Sequence, residues 1–84
     1  MGADMRVQVL GSGCKKCNDL YDNARQAVDG LEGGSHTVEK VDDVDVFMRL
    51  GVLVTPALVI DDEVVSSGRV ISASEIARLI HDRG

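Results

Sequence analysis

Two cysteines, Cys14 and Cys17, stand in the run Gly13-Cys14-Lys15-Lys16-Cys17, between a strand-like segment and a helix-like one. Thiols three residues apart on a helix face each other, so their sulfurs can reach disulfide distance without moving the backbone. Closing so short a loop removes little entropy from the unfolded chain, and the bond would add little stability. The pair therefore reads as chemistry rather than as a staple. A helix N-terminus carries partial positive charge and unpaired N–H groups, both of which favour a thiolate. Lys15 and Lys16 add positive charge beside it; they are solvated charges and also candidates to meet a substrate. Cys14, at the start of the helix, is expected to have a lowered pKa and to be the attacking thiolate. Cys17, one turn inside, is expected to be more buried and to resolve a mixed disulfide formed on Cys14.

The same residues admit other chemistry. A C-x-x-C pair after a first strand can bind Cu(I) or zinc. A structural zinc site wants four ligands, however, and only the distant His36 and His81 add to the cysteines. Two neighbouring cysteines can also be inert, buried small residues. His36 reads as a strand-edge residue and His81 as a solvated one at the negative pole of the last helix. Tyr21, four residues after Cys17, reads as partly buried core. Asp42, Asp43 and Asp45 read as capping and surface charge, since they lack the calcium-loop pattern. Gly11-Ser12-Gly13 lacks the spacing and the Lys-Ser/Thr end of a phosphate loop. No metal, flavin or nucleotide cofactor is expected.

The elements that must position the cysteines follow from spacing. Met5 to Leu10 alternates apolar and polar residues and then meets the breaker Gly11-Ser12-Gly13. From Lys15 to about Asp29, Leu20, Ala24, Ala27, Val28 and Leu31 fall at helical spacing, and Gly30, Gly33 and Gly34 end the run. His36 to Val41 is a short strand. Asp42-Asp43 caps a helix over Val44 to Leu50, which ends near Gly51. Ala57 to Ile60, a tight turn at Asp61-Asp62-Glu63, and Val64 to Ser67 form a hairpin. Ser72 or Ser74 caps a last helix with an inner face of Ile76, Ala77, Leu79 and Ile80; Ser72 stands at capping-box distance from Glu75. The order is βαβαββα. The first helix can serve as a crossover between parallel strands and the last two strands must be antiparallel, giving an α/β fold with a four-stranded mixed sheet and helices on both faces.

The 84 residues fit a single domain spanning the whole chain, 1–84, with a core of Val, Leu, Ile and Ala, because Tyr21 and Phe47 are its only aromatics. Fourteen acidic against nine basic residues give a net charge of −5, which argues against nucleic acid and anionic membranes as partners. No run approaches the ~20 apolar residues of a membrane span, and no secretory apolar segment follows Met1. The cytoplasm is the expected compartment, where thiols are mostly reduced, and a monomer is expected.

Pro56 is the only proline, and by itself it reads as a strand-start residue. A C-x-x-C at the first helix, then a strand, a helix, Thr55-Pro56, a hairpin and a final helix resembles the thioredoxin-like superfamily. Leu50-Gly51-Val52-Leu53-Val54-Thr55-Pro56-Ala57-Leu58-Val59-Ile60 looks like the segment that carries that family's cis-proline loop into its strand. The resemblance spans about residues 5 to 82 and is closest to short, glutaredoxin-sized redox-active disulfide proteins. It implies Cys14 as nucleophile, Cys17 as resolving thiol, Pro56 as a cis-proline beside them, and Thr55 as the residue whose backbone pairs with an extended substrate. It implies protein or small-molecule disulfides as partners, together with a thiol reductant or reductase. The chain departs from thioredoxin in having no Trp and in its Lys15-Lys16 dipeptide, and Ser66-Ser67-Gly68 stands where glutaredoxins carry a Gly-Gly pair. The rival readings are a metal-binding or metal-delivery protein and a non-catalytic binding module. Small metallochaperones, though, end in a strand and give Thr55-Pro56 no role.

Overall fold

The computed structural model describes residues 5–11, 13–31 and 36–83. At its centre is β1 (Arg6–Leu10), flanked by β2 (Thr37–Val41) and β3 (Ala57–Ile60), with β4 (Glu63–Ser67) outermost, in the order β2-β1-β3-β4. β1 and β2 are parallel and joined through α1 (Lys15–Asp29), as a crossover of that length requires; β3 is antiparallel to both β1 and β4. α2 (Val44–Leu50) and α3 (Ala73–Arg83) complete the chain.

Both faces of the sheet are covered. Val7, Val9, Leu58 and Ile60 point to one side and pack with Leu20, Ala24 and Ala27 of α1 and with Ile76 and Ile80 of α3. Those α1 positions recur at three- and four-residue intervals, which is why one stripe of the helix is buried while Arg25 and Asp29 pair on its exposed side. On the other face Leu10, Val52, Ala57 and Val59 form a smaller cluster closed by Phe47 and Leu50 of α2. Because β1 has neighbours on both edges, even its polar Gln8 is buried: its Nε2 donates to Glu39 Oε1 at 3.1 Å, and the same oxygen accepts from Arg6 Nε at 2.9 Å.

Punctuation follows residue chemistry. Gly51 ends α2 in the left-handed conformation (φ 75°), with its N–H donating back to Met48 and Phe47. Gly30 ends α1, with its N–H on Gln26 O; Gly33 and Gly34, expected to share that task, and Ser12 lie outside the described residues. Ser72, rather than Ser74, caps α3: its hydroxyl accepts from Glu75 N at 3.2 Å. The hairpin differs by one residue from expectation. Asp61 and Asp62 both adopt positive φ (50° and 67°), making a two-residue turn, so Glu63 already pairs with Ile60 as the first residue of β4. Aspartate tolerates that conformation, and its backbone twist matches that of the flanking strands.

Candidate functional site

Register places four chain segments on one edge of the sheet. Leu10 is opposite Val41 on one side and Ala57 on the other, and Ala57 is opposite Ser67. The ends of β1, β2 and β4 and the start of β3 therefore meet there. From this edge Gly13, in the left-handed region at φ 81°, turns the chain into an extended Cys14 (φ −72°, ψ 166°), and α1 begins with the next residue. Only glycine adopts that φ without appreciable strain.

Cys14 is the N-cap of α1, and its side chain is exposed. The Cys14 sulfur accepts the backbone N–H of Cys17 at 3.2 Å, the bond that Ser or Asp makes at other helix starts. Its pKa is held below that of an ordinary thiol. The largest cause is a hydrogen bond from the Cys17 side chain; the Cys17 N–H follows, with smaller help from the N–H groups of Lys16 and Cys14, while partial desolvation acts the other way. Cys17 faces inward and is 3% exposed. The two thiols thus share a hydrogen bond yet sit in different surroundings, one in solvent and one against the core. Lys15 and Lys16, between them, are exposed.

Behind Cys17 lies Gly11, the residue that follows β1. Its N–H donates to Val41 O at 2.9 Å, extending the β1–β2 ladder by one step. A Cβ on Gly11 would overlap the Cys17 sulfur and would approach the Cys17 Cβ at 3.0 Å and the Pro56 Cα at 4.0 Å. Gly11 is thus the spacer that lets Cys17 and Pro56 approach one another across the end of β1. Pro56 is buried, its peptide bond with Thr55 is cis, and its carbonyl accepts from Gly68 N at 2.8 Å; Thr55 is exposed. One turn into α1, Lys40 of β2 donates to Asn18 Oδ1 at 3.0 Å and lies 4.7 Å from the centre of the Tyr21 ring, tying the helix to the strand beside it.

Cys14, Cys17, Thr55 and Pro56 are brought together on this edge, with Lys15 and Lys16 at its rim. The histidines are not. His36 Nδ1 accepts from Met5 N at 3.1 Å at the opposite end of the sheet, and His81 is exposed near the end of α3. Among the described residues no group of three or more His, Cys, Asp or Glu is placed to share an ion. Two participants had no separate signal in the sequence. Gly11 reads there only as the first residue of the breaker Gly11-Ser12-Gly13, and the Lys40–Asn18 contact joins residues 22 positions apart.

The family model of the thioredoxin domain matches residues 5–81, nearly the whole described chain. The chain belongs to the thioredoxin family. A thioredoxin of Methanothermobacter thermautotrophicus is 37% identical over 76 residues, covering 90% of this chain and 97% of the relative. A thioredoxin of Methanocaldococcus jannaschii is 39% identical over 70 residues, covering 83% and 79% respectively. Membership makes this a thioredoxin-like redox protein, and it accounts for the architecture: a mixed four-stranded sheet with a cysteine pair where β1 passes into α1 and a proline where the chain enters β3.

Proposed function

We propose that the protein is a thiol–disulfide oxidoreductase in which Cys14 is the nucleophile and Cys17 the resolving thiol. The observation that carries this reading is the exposed Cys14 sulfur at the head of α1, accepting hydrogen bonds from Cys17 while Cys17 itself stays buried beside it. An accessible sulfur stabilised as thiolate is the species that attacks disulfides.

In the reductive direction the Cys14 thiolate attacks one sulfur of a partner disulfide. The partner S–S bond breaks, its second sulfur leaves as thiolate and takes a proton from solvent, and Cys14 is held in a mixed disulfide. Cys17 then gives up its proton, and its sulfur attacks that of Cys14. The bond to the partner breaks and the second partner thiol departs. The partner gains two electrons and two protons, one from solvent and one from Cys17; the chain, with Cys14 already a thiolate, loses two electrons and one proton in forming Cys14–Cys17. A dithiol reductant or a reductase reverses the change. Thr55, exposed beside Pro56, offers backbone to an extended partner segment, and Lys15 and Lys16 border the place where that segment lies. The substrates are protein or small-molecule disulfides, and the 84 residues act as one unit, as a monomer, in the cytoplasm. That compartment agrees with an acidic chain in which no described helix is long and apolar enough to cross a membrane.

Trapping tests the assignment of roles. Pre-reduced protein is incubated with a model protein disulfide, and the products are mapped by mass spectrometry. Cys17→Ser should accumulate a mixed disulfide on Cys14, and Cys14→Ser should abolish reduction. Adducts formed on Cys17, or full activity without Cys14, would reverse or end the assignment.

A further inference from the structure

Besides Val44 and Met48 of α2, the exposed large apolar side chains among the described residues stand in the loops at the end of the sheet that carries Cys14. Leu53 is 96% exposed, Val54 57% and Val70 39%, although each is a large apolar side chain. They belong to two loops held together: Gly68 N–H donates to Pro56 O at 2.8 Å, and a Cβ on Gly68 would lie 2.9 Å from Val54 Cγ1. Because β3 lies between β1 and β4, Pro56 stands between the Cys14 segment on one side and the Gly68-Arg69-Val70 loop on the other.

Three of the chain's nine basic residues, Lys15, Lys16 and Arg69, are exposed on these two flanks, and among the described residues none of them is in an ion pair. The acids of the same edge stand past β1, at the end of β2: Asp42, Asp43 and Asp45, of which Asp43 is occupied in capping α2. Asp19 stands one turn along α1 from Lys15, with no ion pair between them among the described residues. Asp61, Asp62 and Glu63 occupy the hairpin at the far end of the sheet. The exposed charged side chains on the two sides of Pro56, Lys15 and Lys16 at the head of α1 and Arg69 after β4, are therefore cationic, with exposed apolar side chains beside them, in a molecule of net charge −5; the acids at the end of β2 lie on the far side of β1 from Pro56.

We infer that the preferred partner is a protein disulfide whose cysteine is flanked by acidic residues and an apolar side chain, the acids meeting Lys15, Lys16 and Arg69 and the apolar group meeting Leu53, Val54 and Val70. This rests on the oxidoreductase reading and narrows its substrate class. The local field and the whole-molecule field make opposite demands: net charge −5 attracts basic partners at long range, whereas the cations at the site favour acidic ones in contact.

Two disulfide-bonded peptides of equal length and shared apolar residues, one with Asp and one with Lys beside each cysteine, separate the cases. Single-turnover rates with reduced protein are divided by each peptide's rate with dithiothreitol, an uncharged dithiol, to remove intrinsic differences between the disulfides. The normalised rate should favour the Asp peptide by about three- to ten-fold at low salt, as two or three exposed ion pairs allow. The preference should fall toward unity at about 1 M salt, where screening acts within about 3 Å. The triple variant Lys15→Gln, Lys16→Gln, Arg69→Gln should lose it. Equal rates, a preference for the Lys peptide, or an Asp preference that survives in the triple variant would overturn the inference while leaving disulfide exchange intact. Failure to reduce either peptide, when dithiothreitol reduces both, would overturn the oxidoreductase reading and this one with it.

Discussion

The Cys14 sulfur accepts the backbone N–H of Cys17 at 3.2 Å, so the exposed thiol is also the cap of its own helix. The other two helices are capped conventionally, α2 by Asp43 and α3 by Ser72. At α1 the cap position is given to a weaker acceptor that becomes a strong one when it loses its proton, because hydrogen bonds to an ionised acceptor are roughly twice as strong as neutral ones. The helix start and the charge on the sulfur thus favour each other.

The pH dependence of alkylation follows from that coupling. A thiol is nearly inert below its pKa and reactive above it, and the hydrogen bonds from Cys17 lower the pKa of Cys14. Its alkylation rate should therefore rise and level off at lower pH than that of a free cysteine, for which the midpoint is about 8.5. Cys17→Ala removes the side-chain donor and keeps the N–H, so the midpoint should move up without reaching the free value. The measurement is iodoacetamide modification of Cys14 from pH 4 to 10, resolved by mass spectrometry. A midpoint that Cys17→Ala leaves in place would show that the side-chain hydrogen bond is immaterial.

Gly11 and Gly13 should respond differently to alanine. At Gly13 nothing lies within contact of an added Cβ, but the positive φ makes it strained, at about 1–2 kcal/mol. At Gly11 the methyl group would collide with the Cys17 sulfur, and overpacking of a buried site typically costs about 1–3 kcal/mol. The distinguishing readout is Cys17 itself. Gly11→Ala should expose it to alkylation in the native state, whereas Gly13→Ala should leave it protected at matched stability. Equal protection of Cys17 in both variants would remove Gly11 from the site.

Two serines should shift stability in opposite directions. Ser72→Ala deletes the cap of α3 and should cost about 1 kcal/mol. In a domain of this size, that corresponds to a fall of about 4–8 °C in Tm. The Ser66 hydroxyl is buried with no hydrogen-bond partner among the described residues, so Ser66→Ala relieves a desolvated polar group and should raise stability by about 1 kcal/mol. Thermal melts of both variants beside the parent protein check the two signs together.

Much of this was legible in the sequence, for reasons that differ by element. α1 and α3 announce themselves because Leu20, Ala24 and Ala27, and likewise Ile76 and Ile80, repeat at helical intervals that are local in the chain. The cysteine pair is legible because its spacing is itself the chemistry. What depends on strands meeting was harder to read. Gln8 looks like the outward half of an alternating strand, yet it is buried because β1 is central, and its partner Glu39 lies 31 residues away on β2. The contact between Gly11 and Cys17 arises only once α1 has folded back over the end of β1. The cis bond at Pro56 followed from family resemblance, since the dipeptide alone favours a trans strand start.

Redox equilibration tests the exchange chemistry most directly. The protein is brought to equilibrium in graded dithiothreitol and glutathione buffers, quenched by alkylation, and scored by mass for reduced and oxidised forms. Reversible exchange at Cys14 and Cys17 requires a single transition that spans about 30 mV per tenfold change in ratio, the slope of a two-electron couple, and that disappears in Cys14→Ser and in Cys17→Ser. A protein that stays fully reduced at every poise, or that oxidises only by joining two chains, would contradict it.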